Sequence, residues 1–179
     1  GANLGPRIAA GQPNIAGLAL LAGNVRPLED LLVEQLTFLA NVDSTVSDYE
    51  KTQLDAAEQL RVRIRSAALT DTSVVSVLGA AMPGSYWLDL RGYDPGKTAR
   101  GLEIPIRVLQ GGRDYQVGRT DFDLWQKALA GRKNAQCKWY PTLNHLFVTG
   151  TAAPGAGEYA APGHVDAQVI GDLTAAIGG

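Results

Sequence analysis

The sequence holds one cysteine and two histidines in 179 residues. A single thiol, Cys137, excludes an internal disulfide and any metal site built from several cysteines. No cluster of lysine and arginine stands out, and sixteen basic against eighteen acidic residues leave a net charge of −2. Electrostatics therefore recommend neither a nucleic-acid partner nor an anionic membrane. Long apolar runs are missing too. The longest, from Gly17 to Gly23 with its flanks, is far too short to cross a bilayer. There is no signal peptide and no initiator methionine; the chain opens on Gly1, straight into what reads as a helix, so the lack of a targeting segment carries no weight. The compartment stays open, with a lean to the cytoplasm. No glycine-rich phosphate loop is found, and Asp89 and Asp94 lack metal-ligating company, so neither a cofactor nor a metal is expected.

What is there suits one domain with a sizeable core. Ala2 to Ala10 reads as a short helix, with Pro6 tolerable near its first turn and Gly11 and Pro13 ending it. Ile15 to Leu21 is apolar on both faces, as a central parallel strand is. From Pro27 to about Leu78 the period becomes helical. Leu28, Leu31, Leu32, Leu36 and Leu39 form one stripe; Ser47-Asp48-Tyr49-Glu50 has the form of a capping box; Leu54, Ala57, Leu60, Ile64 and Ala68 form a second stripe; a third short helix is expected near Asp71. About fifty helical residues between two strands exceed what a crossover needs. The economical reading is a helical cap inserted over 27–84 into a core of 1–26 and 85–179, and a cap over the strand ends would exclude water from a site there.

Met82 to Pro95 reads as irregular and aromatic. A helix from about Asp121 turns Phe122, Trp125 and Leu129 inward and stops at Gly131. Thr149 to Gly163 is a Gly/Ala/Pro-rich loop fit to form a site rim, and a last helix carries Val165, Val169, Leu173 and Ile177 on one face. Strand, helical insert, strand, helix, strand, helix is an α/β pattern. Three parallel-type strands with apolar edges look like the C-terminal part of a larger sheet. Such edges are an aggregation hazard, so the chain alone is expected to aggregate or misfold and to need a missing N-terminal half.

Two further runs carry the chemistry. Ile104 to Gln110 ends in Gly111-Gly112-Arg113-Asp114, and Gln136 to Pro141 ends in Leu143-Asn144-His145. Each reads as a buried strand delivering one ionisable residue at its C-terminal end, the edge where open parallel sheets bind ligands. An acid and then a histidine, 31 residues apart, leave room for one helix and one strand between them. They are the second and third members of a Ser…Asp…His order. Asp114 also fits a plain turn residue, and His145 a buried hydrogen-bonded one.

Ala2-Asn3-Leu4-Gly5-Pro6-Arg7-Ile8-Ala9-Ala10, Ser85-Tyr86-Trp87-Leu88-Asp89-Leu90, Gln110-Gly111-Gly112-Arg113-Asp114-Tyr115-Gln116-Val117 and Leu143-Asn144-His145-Leu146-Phe147 together resemble bacterial α/β-hydrolases. The group is the esterase and serine-aminopeptidase-like one with a helical cap. The resemblance implies that Asp114 is the triad acid and His145 the general base. It also implies a nucleophile in G-x-S-x-G, on a strand-to-helix turn leading into a helix like Ala2 to Ala10. In one register Gly1 is the last glycine of that motif and the serine lies two positions upstream. In the other, Gly1-Ala2-Asn3-Leu4-Gly5 is the motif, with Asn3 where the serine would stand and no acyl intermediate possible.

A serine hydroxyl becomes nucleophilic when a base takes its proton during attack; an imidazole does this near neutral pH, and a carboxylate holds the imidazole in the right tautomer. Losing the nucleophile costs about a million-fold in turnover, so these residues alone are not expected to hydrolyse esters. Tyr86, Trp87 and Tyr115, with Tyr93, are candidates for an acyl pocket or for core. Arg113, Cys137 and His164 read as structural. The expectation is a serine hydrolase of small carboxylic esters; a peptidase or amidase on the same fold, and a non-catalytic binding protein in the Asn3 register, are the alternatives.

Overall fold

The computed structural model describes residues 1–77, 79–150 and 153–177. In chain order the elements are α1 (Gly5–Ala10), β1 (Leu18–Leu21), α2 (Leu28–Ala40), α3 (Asp48–Arg65), β2 (Val74–Val77) and β3 (Ala80–Pro83). They continue with α4 (Gly84–Arg91), α5 (Pro95–Arg100), β4 (Ile106–Gly111), α6 (Arg119–Ala128), β5 (Ala135–Tyr140), a 3-10 turn at Ala156–Tyr159 and α7 (Ala167–Ile177). They divide into two compact units, one of Gly1–Val25 with Asp94–Gly179, the other of Arg26–Tyr93.

The first unit is built on a parallel three-stranded sheet in the order β1-β4-β5. Ile15 to Leu21 was expected as a central strand, but only Leu18–Leu21 pairs, and β4 holds the centre. Ile106, Val108 and Leu109 are all buried, so β4 is the strand covered on both faces. On one face Leu20, Ile106 and Val108 pack with Ala99, Phe122, Trp125 and Leu129. On the other, Leu109 and Tyr140 pack with Ala22, Leu143, Phe147 and Val169. The inward set of Phe122 and Trp125 on α6 and Leu129 at its C-terminal cap is as the helical spacing gave it, and Gly131 past its end has φ +81°. Two polar ties fix α6 against the chain leaving β1. The Trp125 indole N–H donates to the Gly23 carbonyl at 2.7 Å, and the buried Asp121 carboxylate accepts from the Val25 N–H at 2.8 Å. In α7, Val169 is buried and Leu173 packs beside it, but Val165 precedes the helix and is exposed. The side chain of Ile177, and Thr151 and Ala152 in the long loop, lie outside the described residues.

The second unit pairs α2 with α3. Ser47 and Glu50 make the expected capping box: the Ser47 hydroxyl accepts from the Glu50 N–H at 3.3 Å, and the Glu50 carboxylate accepts from the Ser47 N–H at 2.8 Å. Arg65 near the end of α3 reaches Asp30 and Glu29 at the start of α2, so the helices run antiparallel. Leu31, Ala57 and Ile64 from the two stripes are buried; Ala68 lies beyond the helix end and is exposed, with Leu69 buried in its stead.

The helix expected near Asp71 is a two-stranded antiparallel hairpin, β2 with β3. Val74-Val75-Ser76-Val77 is rich in β-branched side chains, which fit a pleated surface better than a helix, and Val75 alone of the strand is buried. Gly79 at the tip takes φ +84°, open to glycine without penalty. Leu78 lies outside the described residues. The stretch expected as irregular, Met82 to Pro95, ends β3 and forms α4. Trp87 on α4 packs with Ile64, Leu69 and Val75 into the core of this unit. Among the described residues no helix is long and apolar enough to cross a membrane.

Candidate active site

Parallel strands put all their C-terminal ends at one edge of a sheet. β4 ends at Gly111, paired with Tyr140 at the end of β5, so the turn after each strand starts from the same level. Two glycines let these turns nest. A Cβ on Gly111 would stand 2.5 Å from the Leu143 carbonyl oxygen and 2.6 Å from that of Asn144; one on Gly112 would stand 2.8 Å from the Pro141 backbone. Only hydrogen fits there, and the backbones close in. The Gly112 N–H donates to the Tyr140 carbonyl at 2.7 Å.

Within this frame the Asp114 side chain is fully buried, and all four of its bonds reach it as an acceptor. Oδ1 takes the backbone N–H of Gln116 at 2.8 Å and of Val117 at 2.9 Å, closing the turn on its own side chain. Oδ2 takes the Gln110 amide at 2.8 Å and faces His145 Nδ1 at 2.8 Å. An acceptor at Oδ2 assigns the hydrogen to Nδ1, which leaves Nε2 as the ring nitrogen free to accept a proton. The imidazole is about a quarter exposed, at 27%. A buried carboxylate thus orients a partly open imidazole.

The histidine is aimed by the residue before it. Asn144 is 2% exposed, and its side-chain oxygen accepts from the N–H of Leu146 at 3.0 Å and of Val148 at 3.2 Å. Its backbone N–H donates to the Val148 carbonyl and its carbonyl accepts from the Phe147 N–H. The tight turn forces Phe147 to φ +58°, while its ring stays buried against Tyr140. Neither Asn144 nor Gln110 stood out in the sequence. The available signals were a polar residue directly before the candidate histidine, for Asn144, and an amide closing an apolar strand four residues before the candidate acid, for Gln110.

The other candidates take other places. Tyr115 follows the acid and stacks on Tyr159 with ring centres 5.7 Å apart, and burial raises both phenols above their ordinary value, that of Tyr159 to about 12. Arg113 pairs with Glu158 against Gly150, where an added Cβ would push on both side chains. Tyr86 and Trp87 lie on α4 in the second unit, edge to face, and Trp87 is only 2% exposed. Cys137 sits mid-strand, its thiol pushed up to about 11 by burial, unsuited to a nucleophile. Asp94 caps α5 by accepting from the Lys97 N–H, and His164 is exposed. Asn3 lies in the turn before α1, its amide donating to the Asn24 carbonyl at 3.1 Å. Among the described residues no three His, Cys, Asp or Glu side chains gather as a metal site would.

No family model matches the chain. It is 38% identical over 173 residues to the esterase EstD of Thermotoga maritima, a match covering 97% of this chain and 39% of that protein. The chain therefore spans about two fifths of the length of this curated relative. Looser likenesses are to an alpha/beta fold family hydrolase from Bacillus anthracis and a monoacylglycerol lipase from Paleococcus ferrophilus. The first is 13% identical with TM-score 0.42, covering 81% of this chain and 58% of that one. The second is 16% identical with TM-score 0.43, covering 82% and 57%. Over nearly its whole length the chain is thus similar to the esterase EstD, and it carries a parallel sheet with flanking helices and the Asp114–His145 pair at the sheet's C-terminal edge.

Proposed function

We propose that Asp114 and His145 are the acid and base of a Ser-Asp-His triad in a hydrolase of small carboxylic esters. The observation that carries this reading is the 2.8 Å contact between the buried Asp114 Oδ2 and His145 Nδ1, which turns Nε2 into the working base. In that role Nε2 takes the proton of a serine hydroxyl as it attacks the ester carbonyl, then hands it to the departing alkoxide; the acyl-enzyme is released by water in the same two steps. Asp114 keeps its negative charge throughout and stabilises the imidazolium. Similarity to the esterase EstD supports the choice of ester.

The serine belongs, in this proposal, just upstream of Gly1. Ala2 lies against Gly23 and Asn3 bonds Asn24, so the turn leading into α1 sits by the chain that leaves β1, at the same sheet edge as the acid and the base. A nucleophile two residues before Gly1 would arrive at that edge. The oxyanion hole would come from the N–H after the serine and from an earlier loop. Tyr115, next to the acid in the chain, is the candidate for contact with substrate. Asn3 already donates its amide to a neighbouring carbonyl, which fits a structural residue and gives no support to the non-catalytic alternative.

The test uses the intact protein, with this chain joined to the segment that precedes it. Turnover of a short-chain aryl ester and labelling by a fluorophosphonate are expected, both lost in His145→Ala. Full activity in His145→Ala, or faster cleavage of aminoacyl amides than of esters, would reject the ester-hydrolase reading.

A further inference from the structure

We infer that Gln110 is a positioning residue for the triad acid, an assignment that rests on Asp114 and His145 working as proposed. Gln110 closes β4 one residue short of its end, 1% exposed, on a strand whose other buried side chains are Ile106, Val108 and Leu109. Its amide nitrogen donates to Asp114 Oδ2 at 2.8 Å and to the Val117 carbonyl at 2.7 Å. Both are acceptors, which settles the amide's orientation. Its oxygen Oε1 is buried and has no partner.

An unpaired buried oxygen costs stability, and a side chain serving only the core would carry no such atom. The amide is worth its unpaired oxygen through its two donors. They hold both ends of the 114–117 turn, one at the carboxylate and one at the backbone, from a single rigid strand. Oδ2 is the oxygen Gln110 shares with His145, so the amide fixes the rotation of the carboxyl and the lone pair that meets Nδ1. Gln110 itself gives up no proton and touches no reacting atom.

The experiment is Gln110→Leu in the intact protein, which removes both donors at similar bulk. Donors to charged groups are worth enough that kcat on an aryl ester should fall about ten- to a hundredfold, with KM within about twofold. The acid limb of the pH profile of kcat/KM should move to higher pH, because Oδ2 then shows more negative charge to the imidazole and favours imidazolium. In an Asp114→Asn background the same substitution should cost less than about twofold, since Gln110 acts only through the acid. Gln110→Met, closer in length, serves if the leucine variant melts well below wild type. There the Nδ1 proton resonance of His145 should move, a readout independent of turnover. Unchanged kcat and acid limb, an unmoved resonance, or an equal loss in the Asp114→Asn background would overturn the inference. Asp114→Asn alone separates the two claims. If it cuts turnover by orders of magnitude to a measurable residue while Gln110→Leu does nothing, only the role of Gln110 falls; if it leaves turnover intact, the triad reading falls and takes this one with it.

Discussion

The backbone N–H of Arg113 donates to the carbonyl of Leu143 at 2.9 Å, so the residue before the acid is tied to the residue two before the histidine. The acid–base distance is therefore a property of two backbones. The side chains of Asp114 and His145 meet because Gly111 and Gly112 let the turns touch, and the pair inherits the rigidity of paired strands. If His145 serves as the proposed base, pre-organisation of this kind would keep it oriented before substrate arrives.

Gly111→Ala tests that dependence. The added methyl would stand 2.5 Å from a carbonyl oxygen that is itself backbone, so the β5 turn must move. Overpacking of this sort costs about 1–3 kcal/mol. Urea unfolding of the intact protein should show that loss, with a fall in kcat larger than stability alone accounts for.

Asn144→Ala removes the acceptor for two backbone N–H groups of the turn holding His145. Leaving them unsatisfied is expected to destabilise by about 1–3 kcal/mol. The turn should loosen, and hydrogen exchange at Leu146 and Val148 should quicken more than at β4. Exchange at Leu146 and Val148 that quickens no more than at β4 would count against Asn144 as the organiser of this turn.

Trp87 separates a packing role from a substrate role. It is almost wholly buried against Ile64, Leu69 and Val75. Trp87→Ala should cost about 3–5 kcal/mol through the cavity it leaves. Trp87→Phe should lower the melting temperature while leaving KM for a short ester unchanged; a raised KM at unchanged melting temperature would restore it as a substrate contact.

Asp172 gives the first unit a pH dependence. Hydrogen bonds from Lys138 and Tyr140 hold its carboxyl below the ordinary 3.8, and burial only partly opposes them. A depressed folded value means the stabilisation is complete above the unfolded value and disappears as pH falls through the folded one. Tyr140 works in the opposite sense: burial and Asp172 raise it above 10.0, so its contribution is full below that pH and lost on the alkaline side. Unfolding free energies measured from pH 2 to pH 7 should show a shallower acid loss in Asp172→Asn than in wild type.

The linear order of apolar runs was enough to set out the parallel sheet, its flanking helices and the positions of the acid and the histidine. A strand buried on both faces is apolar at most positions, as Ile106, Val108 and Leu109 are around Arg107, and an ionisable residue just past it marks the edge where chemistry gathers. The capping box at Ser47 and the inward set on α6 were equally plain, because caps and helical stripes are local patterns. Packing between distant segments alone decided the rest. The β2–β3 hairpin formed where a helix was expected because Val75 finds Ile64 and Trp87, and β4 took the centre because β5 covers its second edge. Gln110 and Asn144 acquired their partners in the same way: a buried amide has no meaning until the fold presents the group it must hold.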